Sequence, residues 1–144
     1  MDHTEDAPTP DPLELAAELR TTIGTLVRRL RTEDELPQNQ AAVLGWLVRE
    51  GSRTTTELAA LQRVRHQSMA RTVALLTTAG LVTQSPHPTD ARKLLVTATP
   101  AGTEALHAQR TRREATIAAA LTSRLTPAEQ RLLQQAIPLL DRLS

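Results

Sequence analysis

The sequence predicts a mainly helical fold with one small β-hairpin. Apolar residues recur at helical spacing over most of the chain, and one pair of strand-like segments interrupts them. The chain has 144 residues, of which 40% are hydrophobic and 23% are charged. This length and composition are typical of one domain with a packed core and exclude a disordered chain.

The first helix is expected to follow an irregular N-terminal segment. Residues 1–12 are acidic and proline-rich and carry no apolar periodicity, so they are predicted to be a disordered or loosely attached tail. A single domain is expected over 13–144. Its first helix is predicted at 13–31, where Leu15 and Leu19 begin an apolar stripe with the four- and three-residue steps of a helix.

The middle of the chain has the signals of two short helices in close succession. A second helix is expected over 38–50, with Gly51 ending it in a left-handed conformation. Thr54 followed by Glu57 is a capping box, which predicts the start of a short third helix. A fourth helix is expected over 65–79. Because only a few residues separate the third and fourth helices, they are predicted to cross steeply, as in a helix-turn-helix.

After the fourth helix, the apolar residues no longer recur at helical spacing. Segments 81–85 and 93–99 are rich in Leu, Val and Thr and flank a turn-forming stretch, which predicts a β-hairpin, or wing. A long helix is expected over 100–121. A second capping box, Thr126 with Glu129, predicts the start of the last helix.

This order of elements predicts a winged helix-turn-helix at about 36–99, with the helices at 13–31 and 100–143 lying outside it. The outer helices carry more apolar residues than so small a domain can cover. Such exposed patches usually mark interfaces. The outer helices are therefore predicted to be the dimerisation helices of a symmetric homodimer.

Composition excludes several classes of function. Cys, Phe and Tyr are absent, which excludes disulfides, thiol catalysis and aromatic base-stacking platforms. The sequence has no G-x-S-x-G, H-E-x-x-H or phosphate-binding glycine motif, so an enzyme is disfavoured and no catalytic residue or cofactor is predicted. The four histidines, His3, His66, His87 and His107, are far apart in the sequence. This spacing predicts no metal site.

No membrane partner is expected from the distribution of apolar residues. The longest apolar run, 41–48, is far shorter than the roughly 20 residues that a membrane span requires. The N-terminal residues show neither a basic leader nor an apolar signal segment. A cytoplasmic protein is therefore predicted.

Charge is distributed unevenly along the chain. The first twelve residues hold four acidic residues and no basic one, which leaves 17 basic against 12 acidic residues in the rest. Segment 51–93 holds six basic residues and two acidic ones. Because Lys and Arg neutralise phosphates, this basic segment favours double-stranded DNA as the partner.

The fourth helix has the pattern of a helix that reads the major groove. Met69 and Val73 are expected to face the core, which leaves Gln67, Ser68 and Arg71 on the outer side near its N-terminus. Arg can bridge O6 and N7 of guanine, Gln can bridge N6 and N7 of adenine, and Ser can pair with either base. The alternative is that these three residues are ordinary solvated surface positions.

Two segments resemble the MarR family of bacterial transcriptional regulators. DARKLLVTATPAG, Asp90–Gly102, is similar to the family's wing and the helix start that follows it. TTTELAALQRVRHQSMARTVALLTTAGLV, Thr54–Val82, is similar to its helix-turn-helix, and the resemblance covers about 13–143. It implies that Arg92 enters the minor groove while Asp90 orients it. The alternative is an exposed surface ion pair between these two residues.

The predicted DNA contacts combine the residue chemistry with the resemblance. Arg53, Lys93 and the hydroxyls of residues 54–56 are expected to contact phosphates, which position a protein without specifying a sequence. His66 is either a phosphate contact or a surface residue. The candidate DNA-binding residues are Arg53, Thr54, Thr55, Thr56, Arg65, His66, Gln67, Ser68, Arg71, Thr72, Asp90, Arg92 and Lys93.

The sequence predicts a sequence-specific transcriptional regulator that acts as a homodimeric repressor on a palindromic operator and is released by a small-molecule effector. The resemblance implies the effector, because members of the family often bind small acids between the DNA-binding lobe and the dimer helices. Trp46 is expected to be a core residue, with a ligand-binding role as the alternative. The alternative function is a winged-helix module for protein contacts or for non-specific DNA binding.

Overall fold

The structure is a computed structural model that describes residues 7–31 and 35–144. The mainly helical class with a small β-hairpin is confirmed. The chain divides into a first unit that holds the first helix and a second unit, Asp34–Ser144, that holds the other elements. The elements are α1 (Pro12–Arg29), α2 (Gln38–Glu50), β1 (Arg53–Thr54), α3 (Thr55–Gln62), α4 (His66–Thr78), β2 (Val82–Pro86), β3 (Leu94–Ala98), α5 (Pro100–Arg124) and α6 (Pro127–Asp141).

In the first unit, α1 begins one residue earlier than predicted. The Asp11 carboxylate accepts a hydrogen bond from the backbone N–H of Leu13 at 3.0 Å and caps the helix, so Pro12 is its first residue and not the last residue of the tail. Residues 1–6 of the predicted tail lie outside the described residues. No residue of α1 is buried, so its apolar stripe is open to solvent in the single chain.

The core of the second unit lies between the sheet and helices α2 to α5. The predicted inward face of α4 is confirmed, because Met69 and Val73 are buried, and α2 also buries apolar side chains. Residues of α3, of both hairpin strands and of α5 complete the core. The buried core residues are Val43, Leu44, Leu47, Leu58, Ala59, Met69, Val73, Leu76, Val82, Val96 and Leu106.

The sheet has three antiparallel strands in the order β1-β3-β2. The predicted hairpin is confirmed with shifts of one residue at its strand ends, and its register pairs Val82 with Ala98 and Pro86 with Leu94. β1 was not predicted. It has only two residues, which is too short for a periodic signal, and it exists because Thr54 pairs with Leu95 of β3.

The helix-turn-helix contains a left-handed residue that is not glycine. Arg63 ends α3 with φ 53° and ψ 42°, and it is the only non-glycine residue with positive φ in the described part of the chain. Its N–H donates to the carbonyl of Ala60 at 3.2 Å, which closes the turn. Gly51 also has a positive φ, 82°, but its ψ of −172° makes it extended and not the left-handed helical residue that was predicted.

The start of α5 is held against the end of α4. The Thr99 hydroxyl donates to the carbonyl of Gly80 at 2.7 Å, and the Thr99 N–H donates to the carbonyl of Leu81 at 3.0 Å. The same hydroxyl caps α5 by accepting from the N–H of Gly102 at 3.0 Å. A Cβ at Gly102 would collide with the backbone carbonyl of Leu81, so this junction requires glycine.

The last helix begins as predicted. The Thr126 hydroxyl accepts from the N–H of Glu129, and the Glu129 carboxylate accepts from the N–H of Thr126, which completes the capping box. The helix continues through Pro138 to Asp141, and it has no buried residue. Its apolar face is therefore open to solvent in the single chain, like that of α1.

We expect Gly102→Ala to lower the free energy of unfolding by about 1–3 kcal/mol, because the added methyl group meets backbone that cannot move aside. Urea denaturation followed by circular dichroism measures this loss. Gly24→Ala in α1 is the matched control, since a Cβ there meets only the mobile end of Arg28. The control is expected to be neutral or stabilising by up to about 1 kcal/mol. Equal losses of unfolding free energy in the two variants would contradict the conclusion that the junction at Gly102 requires glycine.

Candidate nucleic-acid interface

The outer face of α4 carries polar side chains. With Met69, Val73 and Leu76 buried, Gln67, Ser68 and Arg71 are exposed, as predicted. All three lie in the first two turns of the helix. Arg65 is the N-cap residue and makes no side-chain capping bond, which leaves the first N–H groups of α4 uncapped by a side chain. The face is therefore free to contact a macromolecule.

Two of the predicted DNA contacts are buried and bonded within the protein. Thr54 is buried, and its hydroxyl caps α3 by accepting from the N–H of Glu57 at 3.2 Å. Thr72 is buried, donates to the carbonyl of Ser68 at 3.1 Å and accepts from the Asn39 side chain at 3.1 Å. The spacing of Thr72, three residues after Met69, is the signal that could have placed it on the buried face.

Arg53 lies beside two carboxylates. Its guanidinium is 3.6 Å from Glu50 and 3.6 Å from Glu57, and it donates to the carbonyl of Ser52 at 2.9 Å. These carboxylates reduce the attraction of Arg53 for a phosphate. Of the neighbouring predicted contacts, Thr55 is half-buried and Thr56 is exposed.

The tip of the wing holds an arginine in an extended, solvent-facing position. One carboxylate oxygen of Asp90 accepts from the backbone N–H of Arg92 at 3.1 Å and from its Nε at 3.2 Å. The Arg92 side chain is 92% exposed, so the predicted pairing is present and leaves most of the guanidinium available. The neighbouring Lys93 is also exposed, and its N–H donates to the carbonyl of Asp90 at 3.0 Å.

The pairing at the wing tip changes the acidity of Asp90. The hydrogen bond from the backbone N–H of Arg92, followed by the bond from its side chain, lowers the pKa of the carboxyl below its ordinary value of 3.8. Asp90 is therefore charged at neutral pH. The contact that orients Arg92 is present throughout the physiological range.

Basic side chains are exposed on the helix-turn-helix and on the wing. They lie at the turn before α4, at its start, on its outer face and at the wing tip, and they are Arg63, Arg65, Arg71, Arg92 and Lys93. His66 is exposed at the first position of α4. A surface of this sign and composition can bind an anionic polymer.

Other site types find no support in the described residues. Within 7–31 and 35–144 there is no group of His, Asp and Glu side chains that could hold a metal ion. None of the helices in these ranges is long and apolar enough to cross a membrane. Trp46 is half-buried against the core, and the guanidinium of Arg49 lies 4.9 Å from its ring centroid.

Sequence reasoning missed a group of polar residues that joins the start of α2 to its neighbours. Arg113 of α5 makes two hydrogen bonds to Glu35, Gln109 of α5 accepts from the N–H of Leu36, and Asn39 donates to Thr72 of α4. These partners are 33 to 78 residues apart in the chain. No local pattern could have paired them.

The fold and the basic surface define a winged helix-turn-helix protein, and comparison with known proteins gives its family. Residues 35–93 match the MarR family model. An HTH-type transcriptional regulator of Mycobacterium tuberculosis is 34% identical over 129 residues, which cover 88% of this chain and 90% of that one. The chain therefore belongs to the MarR family. It is a DNA-binding transcriptional regulator and not an enzyme.

Solved structures confirm the fold. A transcriptional regulator protein from Pseudomonas aeruginosa has a TM-score of 0.83 and 36% identity, with 94% of this chain and 97% of that chain covered. BpsR from Bordetella bronchiseptica, whose DNA binding is regulated by 6-hydroxynicotinic acid, has a TM-score of 0.58 and 20% identity, with 89% and 96% covered. At that identity, the likeness to BpsR shows the fold alone.

We expect the Asp90 carboxyl to titrate below pH 3.8 in a carbon-detected NMR titration, and the wing-tip contact to persist above that pH and disappear as the pH falls through the lowered pKa. Arg92→Ala removes the guanidinium but keeps the backbone N–H, which is the larger cause. The pKa of Asp90 in this variant should rise only part of the way toward its ordinary value of 3.8. A return to the ordinary value would show that the side chain and not the backbone holds the carboxylate.

Proposed function

We propose that the protein is a homodimeric repressor that binds a palindromic operator and leaves it when a small molecule binds. The single observation that carries this proposal is the exposed polar face of α4 beside a wing that presents Arg92. A regulator with DNA as its target would act in the cytoplasm. The steps of the proposal are supported separately by the chemistry of α4, of the wing and of the outer helices.

In the proposed complex, α4 lies in the major groove. Arg71 can bridge O6 and N7 of guanine, and Gln67 can bridge N6 and N7 of adenine. Both side chains are exposed, while the opposite face of α4 is held by the core and by the bond from Asn39 to Thr72. A helix fixed on one side presents its base-reading groups in a defined register. Discrimination between bases is better served by such a helix than by a mobile one.

Arg92 is proposed to enter the minor groove. Its side chain is 92% exposed, and Asp90 holds the backbone N–H and Nε of the same residue. A narrow, A·T-rich minor groove concentrates negative potential and attracts such an arginine. A positioned guanidinium also loses less side-chain entropy on binding than a free one.

Phosphates are the proposed partners of the remaining exposed candidates. Arg65, His66 and Lys93 flank the two base-reading elements, and Thr56 adds an exposed hydroxyl at the start of α3. Arg53 is a weaker candidate because Glu50 and Glu57 offset its charge. Such contacts give affinity and position the protein, but they carry no sequence information.

The outer helices are proposed to form the dimer. Neither α1 nor α6 has a buried residue in the single chain. The end of α5 and α6 also line an open groove of about 640 Å³ whose walls include Ile117, Leu133 and Ile137. A two-fold axis would place two copies of α4 about one DNA turn apart, roughly 34 Å, as consecutive half-sites require.

A noncovalent effector is proposed because the chain has no Cys for a thiol switch. BpsR, a protein of the same fold, is regulated by 6-hydroxynicotinic acid, and we propose the same class of ligand here, a small aromatic acid. Trp46 with Arg49 over its ring is our candidate ligand contact, since an aromatic ring beside a cation suits an aromatic acid. Such a ligand acts only through its different affinities for the free and DNA-bound conformations.

We expect the protein to be a dimer at micromolar concentration and to bind one duplex selected from a random pool. Each neutralised phosphate releases counterions, so affinity should fall at least about a hundredfold between about 50 and 200 mM salt. Sedimentation and fluorescence anisotropy measure the mass and the affinity. A monomeric mass, or equal binding of all sequences, would favour the alternative of a non-specific or protein-binding module.

Arg71→Ala and Arg92→Ala are expected to affect different positions of the operator. Arg71→Ala should remove about 1–3 kcal/mol of discrimination at particular bases of each half-site. Arg92→Ala should weaken binding most where the flanks are A·T-rich. Affinities for a panel of single-base variants measure both effects, with Arg112→Ala on α5 as the control for loss of charge. If Arg71→Ala weakens all sequences equally, it contacts a phosphate and not a base.

A further inference from the structure

Two polar contacts join the start of α2 to the middle of α5, and we name them the α2–α5 clamp. The Arg113 guanidinium donates from Nε to one oxygen of Glu35 at 3.0 Å and from Nη2 to the other at 2.7 Å. The side-chain oxygen of Gln109 accepts from the N–H of Leu36 at 2.8 Å. Gln109 and Arg113 are four residues apart, so both lie on one face of α5.

The clamp is largely withdrawn from solvent. The Glu35 side chain is 4% exposed and Gln109 is 2% exposed, while Arg113 is 37% exposed. The hydrogen bond to Glu35 raises the pKa of Arg113. Two parallel bonds between planar groups fix both distance and direction, which packed apolar side chains do not.

The clamp gives α5 a second point of attachment. The first is the junction of Thr99 and Gly102 with Gly80 and Leu81. Gln109 lies ten residues after Thr99, which corresponds to about 15 Å along a helix. Together with Leu106, which is buried in the core between them, two attachments this far apart fix the direction of α5.

Beyond Arg113, α5 has no buried residue up to its end at Arg124. This part of the helix spans about 16 Å. It leads into the groove and the apolar face proposed to form the dimer. A small change of angle at the clamp is therefore enlarged at the proposed dimer contact.

The other side of the clamp reaches the DNA-reading helix. Asn39, in the first turn of α2, donates to the Thr72 hydroxyl of α4 at 3.1 Å, and Thr72 donates to the carbonyl of Ser68. The short segment 35–39 is thus bonded to α5 at its beginning and to α4 at its end. It ties the direction of α4 to that of α5.

We propose that Glu35 and Arg113, acting as positioning residues, set the spacing between half-sites that the protein accepts. This inference rests on the proposed binding of DNA by a dimer. In a two-fold dimer held through α5 and α6, the angle between α4 and α5 determines the separation of the two copies of α4. Each added base pair moves a half-site by about 3.4 Å and turns it by about 35°, so a fixed angle selects one spacing.

The test uses the selected operator with its half-sites moved apart or together by one or two base pairs. For the wild-type dimer, a change of two base pairs should lower affinity about tenfold or more. For Arg113→Gln, the same change in spacing should lower affinity by less than about threefold. The affinity of this variant for the original operator should stay within about tenfold of that of the wild type. Fluorescence anisotropy gives the affinities, and sedimentation confirms that each variant remains dimeric.

Arg112→Gln is the matched control. It removes the same charge from an exposed position one residue away on α5, and it should keep the wild-type preference for spacing. Glu35→Gln is the second variant, for use if Arg113→Gln does not fold. It leaves an oxygen that Arg113 can still bond and leaves no buried carboxylate behind, and it should reduce the preference in the same direction.

The outcomes separate the inference from the function on which it rests. If both clamp variants lose affinity equally at every spacing, the clamp is merely structural and the inference is wrong. If wild-type protein selects a palindrome but tolerates all spacings, the inference is again wrong while the proposed function stands. If wild-type protein selects no palindrome, both proposals fail. A flattened spacing profile in the clamp variants alone supports the inference.

Discussion

The architecture depends on the close approach between the start of α5 and the end of α4. Thr99 bonds to the carbonyls of Gly80 and Leu81 and also caps α5, and the backbone at Gly102 comes so near to Leu81 that a Cβ has no space. β3 ends one residue before this junction. The wing, α4 and α5 therefore meet at one point. The positions of the exposed groups follow from it.

The two faces of α4 differ in their chemistry. One face is covered by the core and contains Thr72, whose hydroxyl makes two hydrogen bonds to protein groups. The other face exposes Gln67 and Arg71 to solvent. A buried hydroxyl that is satisfied inside the protein helps to fix the helix that carries it. The side chains that hold α4 and those that it exposes are therefore only a few residues apart.

The polar contacts of the molecule operate over two ranges. Asp90 and Arg92 are two residues apart and order the wing tip locally, so this pairing needs nothing from the rest of the fold. Glu35 and Arg113 are 78 residues apart and meet only when α2 and α5 pack. The first kind of contact prepares one side chain for an encounter. The second kind sets the relation between helices.

The sequence by itself determined the features that depend on neighbouring residues. The caps at Thr54 and Thr126, the hairpin and the outward position of Arg71 all arise within a few residues, where spacing and backbone preference decide the structure. Only the tertiary structure decided the features that need distant partners. β1 forms because β3 offers it bonds, Thr72 turns inward where its hydroxyl meets the side chain of Asn39, and the α2–α5 clamp joins residues with no common local pattern. Such contacts exist only after the chain has folded, so no window of sequence contains them.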